Sequence, residues 1–100
     1  MRIDAPWHPV TDQQSIALVA ELAREIVPTH QLAGATVRAI AARQDMDDVL
    51  FEVYNRSDKF AIVHLTYSHE TDPRWPDTLL LADETAVQMA LDIDIADFQS

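Results

Sequence analysis

One hundred residues make one domain, enough to bury roughly 60–70% of the unfolded surface, and 48% of them are apolar. The chain has no cysteine, which excludes disulfides, thiolate catalysis and cysteine-type zinc sites. No apolar run approaches the roughly 20 residues of a membrane-crossing helix. The net charge of −10 argues against nucleic acid and against anionic membranes, both of which call for Lys and Arg.

Residues 1–10 carry Asp4, His8, Pro6 and Pro9 without an apolar block. They read as an extended arm rather than a secretory leader, with Trp7 as the side chain that docks it. The cytoplasm is the expected compartment. Thr11 then opens a helix over 11–27, and Gln14 three residues on completes a capping-box pattern. Ile16, Val19, Ala20, Ala23, Ile26 and Val27 recur at helical intervals and define one apolar stripe, which Leu18 and Leu22 widen. Gln13, Gln14, Glu21, Arg24 and Glu25 fall on the wet side. Pro28 ends the helix by removing a backbone donor.

Thr29–Gly34 is a connector that holds the only glycine, where a positive φ is expected. Ala35–Arg43 mixes helix-favouring alanines with Thr36, Val37 and Ile40. The short space before Asp45 decides for a strand. An acidic turn, Gln44–Asp47, leads into the central hairpin.

In Asp48–Asn55, Val49, Phe51 and Val53 alternate with Leu50, Glu52 and Tyr54, the period of a half-buried strand. Phe60–Tyr67 is apolar on both faces, as in a strand covered front and back. A three-residue loop, Arg56–Asp58, sets Phe51 opposite Val63 and Val53 opposite Ala61. His64 then shares the outer face with Leu50 and Tyr54, and a loop of two or four residues reverses that parity. The cover for the second face is either the C-terminal helix or a second copy of the chain, and a homodimer is expected on that ground.

His69–Asp77 is a loop fixed by Pro73 and Pro76. Thr78–Ala82 forms a short edge strand, so the sheet occupies 35–82. Asp83 caps a second helix over 83–98 with Val87, Leu91, Ile95 and Phe98 at helical spacing. Leu91–Ile95 also alternates, which leaves an extended end open. The expected fold is α+β: an N-terminal helix packed on a three- to four-stranded antiparallel meander sheet, followed by a C-terminal helix.

One glycine cannot build a phosphate-cradling loop, and no HExxH, nucleophile elbow or EF-hand loop occurs. No cofactor is called for. His64, His69, Glu70 and Asp72, with Arg74 and Trp75 following, bring imidazole and carboxylate groups to a strand end and its loop, where zinc ligation or proton transfer would need them. The plainer assignment makes His64 a core or interface residue, His69 and Asp72 solvated, and Trp75 a plug for the end of the sheet. Only His64 lies on a regular element, so no metal or catalytic set is assigned. His69, Asp72, Arg74, Trp75 and His64 stand as binding candidates. Asp45, Asp47 and Asp48 read as a wet turn, and His30 has no visible partner.

Between Asp77 and Ser100 stand six acids and no base. The expectation is therefore an acidic protein-binding module, inhibitor- or immunity-like, facing a basic protein partner or a second copy, with neither nucleic acid nor membrane. A small enzyme or metal protein using His64, His69 and Asp72, and a structural homo-oligomeric subunit, are the alternatives.

The runs ARQDMDDVLFEVYN and FAIVHLTYSHETDPRWP resemble a group of small bacterial proteins with the pattern DDVLFE…FAVVHLTW…DPRWP. Tyr67 stands where that pattern has Trp. The resemblance covers the central third to half of the chain. It implies a shared architecture, with which the N-terminal helix is compatible, and no particular activity or catalytic residues.

Overall fold

The computed structural model describes residues 1–100. In chain order the elements are β1 (Trp7–Pro9), α1 (Asp12–Glu25), β2 (Val37–Arg43), β3 (Asp48–Val53), β4 (Phe60–His64), β5 (Asp77–Leu81) and α2 (Glu84–Gln99). The strands form one antiparallel sheet in the order β1-β2-β3-β4-β5. This is an α+β fold with a helix on each face of the sheet.

Alternation divides the core in two. Val49, Phe51, Val53, Ala61 and Val63 face α1, where they join Leu22, Leu32 and Leu65. Leu50 and Phe60 face α2 and pack with Trp7, Val87, Leu91 and Ile95. A bulge between Ala39 and Ala41 shifts the register of β2. It turns Ala39 to the α1 side and Ala41 to the α2 side, although residues two apart on a regular strand share a face.

Several expectations change. The sheet has five strands because the N-terminal arm pairs with β2, Trp7 opposite Arg43 and Pro9 opposite Ala41. Trp7 is 2% exposed, so burial of its indole fixes the arm, and Pro9 sits on an edge where the ladder tolerates it. The central hairpin slides by two residues: Phe51 opposes Ala61 and Val49 opposes Val63. The Val53 N–H donates to the Lys59 carbonyl at 2.8 Å, which makes the loop five residues, Tyr54–Asp58. A two-residue slip preserves parity, and His64 stays on the face of Leu50. β4 also stops at His64 rather than Tyr67: Leu65 still donates to the Asp47 carbonyl, but Tyr67 takes φ 54, a left-handed conformation that a strand does not contain.

Helix α1 runs over 12–25, with Thr11 as N-cap and the capping box formed. Its buried face is rotated from the expected stripe. Ile16 is 72% exposed and Ala20 and Ala23 lie open, while Leu22 and Glu25 are buried. Polar anchors set this rotation. Ser15 Oγ accepts the Ala39 N–H at 2.9 Å, and the Glu25 carboxylate binds the backbone of Thr66 and Tyr67.

Asp83 caps α2 by accepting the Ala86 N–H, and the helix continues to Gln99 without an extended end. Val87, Leu91 and Ile95 form its buried line, and Phe98 is exposed. The second face of β4 is thus covered from within the chain, so that face gives no ground for a second copy. No helix is long and apolar enough to cross a membrane.

Candidate functional site

A groove of about 450 Å³ opens between β5 and the middle of α2. Ile62, Leu79, Ala90 and Ile93 supply its apolar surface, and Asp48, His64, Asp77 and Asp94 its polar groups. The fold dictates this set. Pairing puts Asp48 opposite His64 on β3 and β4, and His64 opposite Asp77 on β4 and β5. Three polar residues therefore stand in a row across the end of three strands. Helix α2 turns its Val87–Leu91–Ile95 line into the core and brings Ala90, Ile93 and Asp94 to the groove.

The carboxylates are not equivalent. Asp48 Oδ1 lies 2.6 Å from His64 Nδ1, which fixes the imidazole plane. Asp94 Oδ2 accepts the Trp7 indole N–H at 3.0 Å, and its Oδ1 lies 3.4 Å from Arg43 Nη1. Asp77 is exposed and in no ion pair. It is the free charge of the site. Leu79 and Ile93, 53% and 64% exposed, form facing apolar walls.

The groove adjoins an open sheet edge. β5 has no neighbour beyond β4, and Gln31 Nε2 donates to its Thr78 carbonyl at 3.3 Å. The opposite edge is the three-residue β1, preceded by Pro6 and ended by Pro9, a common way of blunting an edge.

Of the five candidate residues, only His64 lines the groove. His69 is exposed on the loop after β4. Asp72 and Arg74 pair with each other, Nη2 to Oδ2 at 2.7 Å. Asp72 also accepts the Arg74 backbone N–H at 2.9 Å, a local turn held by its own side chain. The hydrogen bond from Arg74 holds the Asp72 carboxyl below its ordinary range, and the same bond raises the Arg74 guanidinium. Trp75 is 45% exposed and plugs nothing. Pro76 is buried in its place, with its carbonyl on His30 Nε2 at 2.9 Å. No three His, Asp or Glu side chains converge to hold a metal ion. Thr78, which also lines the groove, donates its hydroxyl to the Pro76 carbonyl at 3.0 Å.

The acidic turn divides into separate roles: Asp45 pairs with Arg43 at 2.8 Å, the Asp47 carbonyl accepts the Leu65 N–H, and Asp48 holds His64. Asp77, Leu79 and Ile93 were not singled out from sequence, and Asp94 stood only as one charge of the acidic C-terminal quarter. Their convergence depends on strand register and on the rotation of α2. The acidic bias of residues 77–100 was the available signal.

Glu25 is a second polar centre hidden from the sequence. It is 0% exposed. Its Oε1 accepts the Thr66 N–H at 2.8 Å and the Thr66 hydroxyl at 3.0 Å, and its Oε2 accepts the Tyr67 N–H at 2.9 Å. Burial raises the Glu25 carboxyl above its ordinary value, and a hydrogen bond with Glu21 raises it further. Glu21 is lowered, chiefly by its bond from Arg24. His30 is likewise a structural centre: its Nδ1 accepts the Leu32 N–H at 3.0 Å, which puts the ring proton on Nε2, facing Pro76.

No protein-family model matches the chain, and neither the curated proteins nor the solved structures include a significant match.

Proposed function

We propose that the chain is a protein-interaction module that takes a basic segment of its partner into the groove between β5 and α2, as an acidic inhibitor or immunity-type protein does, in the cytoplasm. The composition of the groove carries this proposal. A Lys or Arg side chain has a long aliphatic stem and a charged head. The stem matches the walls of Leu79 and Ile93, and the head matches Asp77, the unpaired carboxylate at the groove mouth. A charge-assisted bond to a carboxylate is stronger than a neutral one and depends on geometry.

Long-range charge supports the same partner. The net charge of −10 attracts a basic surface and speeds encounter in a salt-dependent way. The β5 edge has no neighbouring strand, and apart from the Thr78 carbonyl, which Gln31 occupies, it offers backbone groups to an extended segment, the β-augmentation mode of peptide capture.

A dye-labelled, capped peptide of alternating lysine and valine tests the proposal by fluorescence anisotropy. Binding is expected at low salt, with affinity falling as salt rises. Asp77→Asn should weaken it roughly fivefold, on the order of 1 kcal/mol for one exposed charge. Equal affinity for the alternating glutamate–valine peptide, or indifference to both salt and Asp77→Asn, overturns it.

A further inference from the structure

Strand pairing sets His64 between two carboxylates. Asp48 is its partner on β3 and Asp77 its partner on β5, and all three side chains line the groove. Directly opposed residues on neighbouring strands stand about 5 Å apart, so both acids feel a charge on the imidazole.

The ring is already oriented for protonation. Asp48 Oδ1 lies 2.6 Å from His64 Nδ1. An ionised carboxylate only accepts hydrogen bonds, so Nδ1 carries the hydrogen of the neutral ring and the next proton enters at Nε2. The His64 side chain is 50% exposed, and solvent supplies that proton directly. Histidine is the side chain whose charge ordinarily changes between about pH 5 and 8.

We propose that His64 is the release switch of the groove: on taking up a proton, its imidazolium offsets the charge of Asp48 and Asp77 and weakens the hold on a basic side chain. This regulation presupposes the capture of a basic segment between β5 and α2. The balance of charge carries it. With His64 neutral the groove presents Asp48 from β3, Asp77 from β5 and Asp94 from α2. Arg43 of β2 already meets Asp94 at 3.4 Å, which leaves two acids for an incoming cation. A proton on His64 cancels one of those two charges. The change is made beside Asp77, the carboxylate in no ion pair. A lysine head and a proton therefore compete for the same acids, and each lowers the affinity for the other by the same factor.

Fluorescence anisotropy with the lysine–valine peptide at about pH 8 and about pH 5.5, at constant low salt, is the test. The lysines of the peptide keep their charge throughout this range. Affinity is expected to fall about threefold at the lower pH, the scale of one exposed charge pair. His64→Gln retains a side-chain N–H for Asp48 but has no charge to gain, so its affinity should not change with pH. His8, His30, His69 and the raised Glu25 carboxyl all remain in that variant, and any pH effect it keeps belongs to them. A reciprocal measurement needs no variant: in an NMR titration of the wild type, saturating peptide should move the His64 midpoint down by about half a pH unit, the same threefold factor. Equal affinity at the two pH values, tighter binding at the lower one, a loss that persists in His64→Gln, or an unmoved His64 midpoint overturns the switch and leaves the capture of a basic segment standing. No binding at either pH overturns both.

Discussion

Glu25 Oε2 accepts the backbone N–H of Tyr67 at 2.9 Å across 42 residues of sequence, and Tyr67 is the one non-glycine residue with positive φ. A buried carboxylate on α1 thereby holds the chain just past β4 in a conformation that side chains disfavour. Replacing Glu25 by Ala leaves two backbone donors without their acceptor. Each such group costs about 1–3 kcal/mol, so a loss of about 3 kcal/mol is expected in urea denaturation. Tyr67→Gly relieves the φ strain at a half-exposed side chain and should be neutral to stabilising by about 0.5 kcal/mol. A loss of more than about 1 kcal/mol there contradicts the strain argument.

The same carboxyl makes stability depend on pH. The folded protein holds the Glu25 proton more tightly than the unfolded chain does, because burial and Glu21 raise the group above its ordinary 4.5. Its contribution is complete below pH 4.5 and is lost as pH rises through the raised folded value. Asp45, Asp72 and Glu21 act in the opposite sense, since their folded values are lowered; stability from them is lost as pH falls through those values. Denaturation of the wild type and of Glu25→Gln at stepped pH should show the wild type losing ground to the variant above pH 4.5. A constant difference between the two excludes Glu25 as the titrating group.

His30 fastens the 65–76 loop to the connector after α1. His30→Ala removes the ring contacts to the Pro76 carbonyl and the Leu32 N–H, at an expected cost of about 2–3 kcal/mol. The freed loop carries Arg74, so tryptic cleavage after Arg74 should accelerate more than the loss of global stability accounts for. Unchanged cleavage there means the loop has another tether.

Leu91 and Ile93 are two residues apart on α2 and differ in burial, 0% against 64% exposed. Leu91→Ala opens a cavity under the helix and should cost about 3 kcal/mol. Ile93→Ala should stay within about 0.5 kcal/mol. Similar costs for the two would mean that α2 is rotated from the position described.

Much of the fold was legible because it rests on local chemistry. Thr11 and Gln14 announce the start of α1, Asp83 caps α2, and the Val49–Phe51–Val53 alternation marks β3. The sheet's parity was readable too, because a two-residue slip leaves every side chain on its face. Three features were not readable. Trp7 makes a strand of the arm only because β2 and Asp94 receive it. Glu25 looks like a surface residue on a helical wheel, and only its tertiary partners, Thr66 and Tyr67, explain its burial. The groove needs Asp48, His64 and Asp77 in line across three strands, and a local pattern does not encode register between strands. His69, Asp72, Arg74 and Trp75 attracted notice by composition, but their loop directs them into a self-contained turn or into solvent.

The capture of a basic segment between β5 and α2 is tested most directly by an amide chemical-shift titration of the ¹⁵N-labelled chain with the lysine–valine peptide. Shifts are predicted to concentrate on Asp77, Leu79, His64 and Ile93, and to vanish at about 1 M salt, where charges are screened within about 3 Å. No perturbation at saturating peptide, or perturbation centred away from β5 and α2, would contradict it.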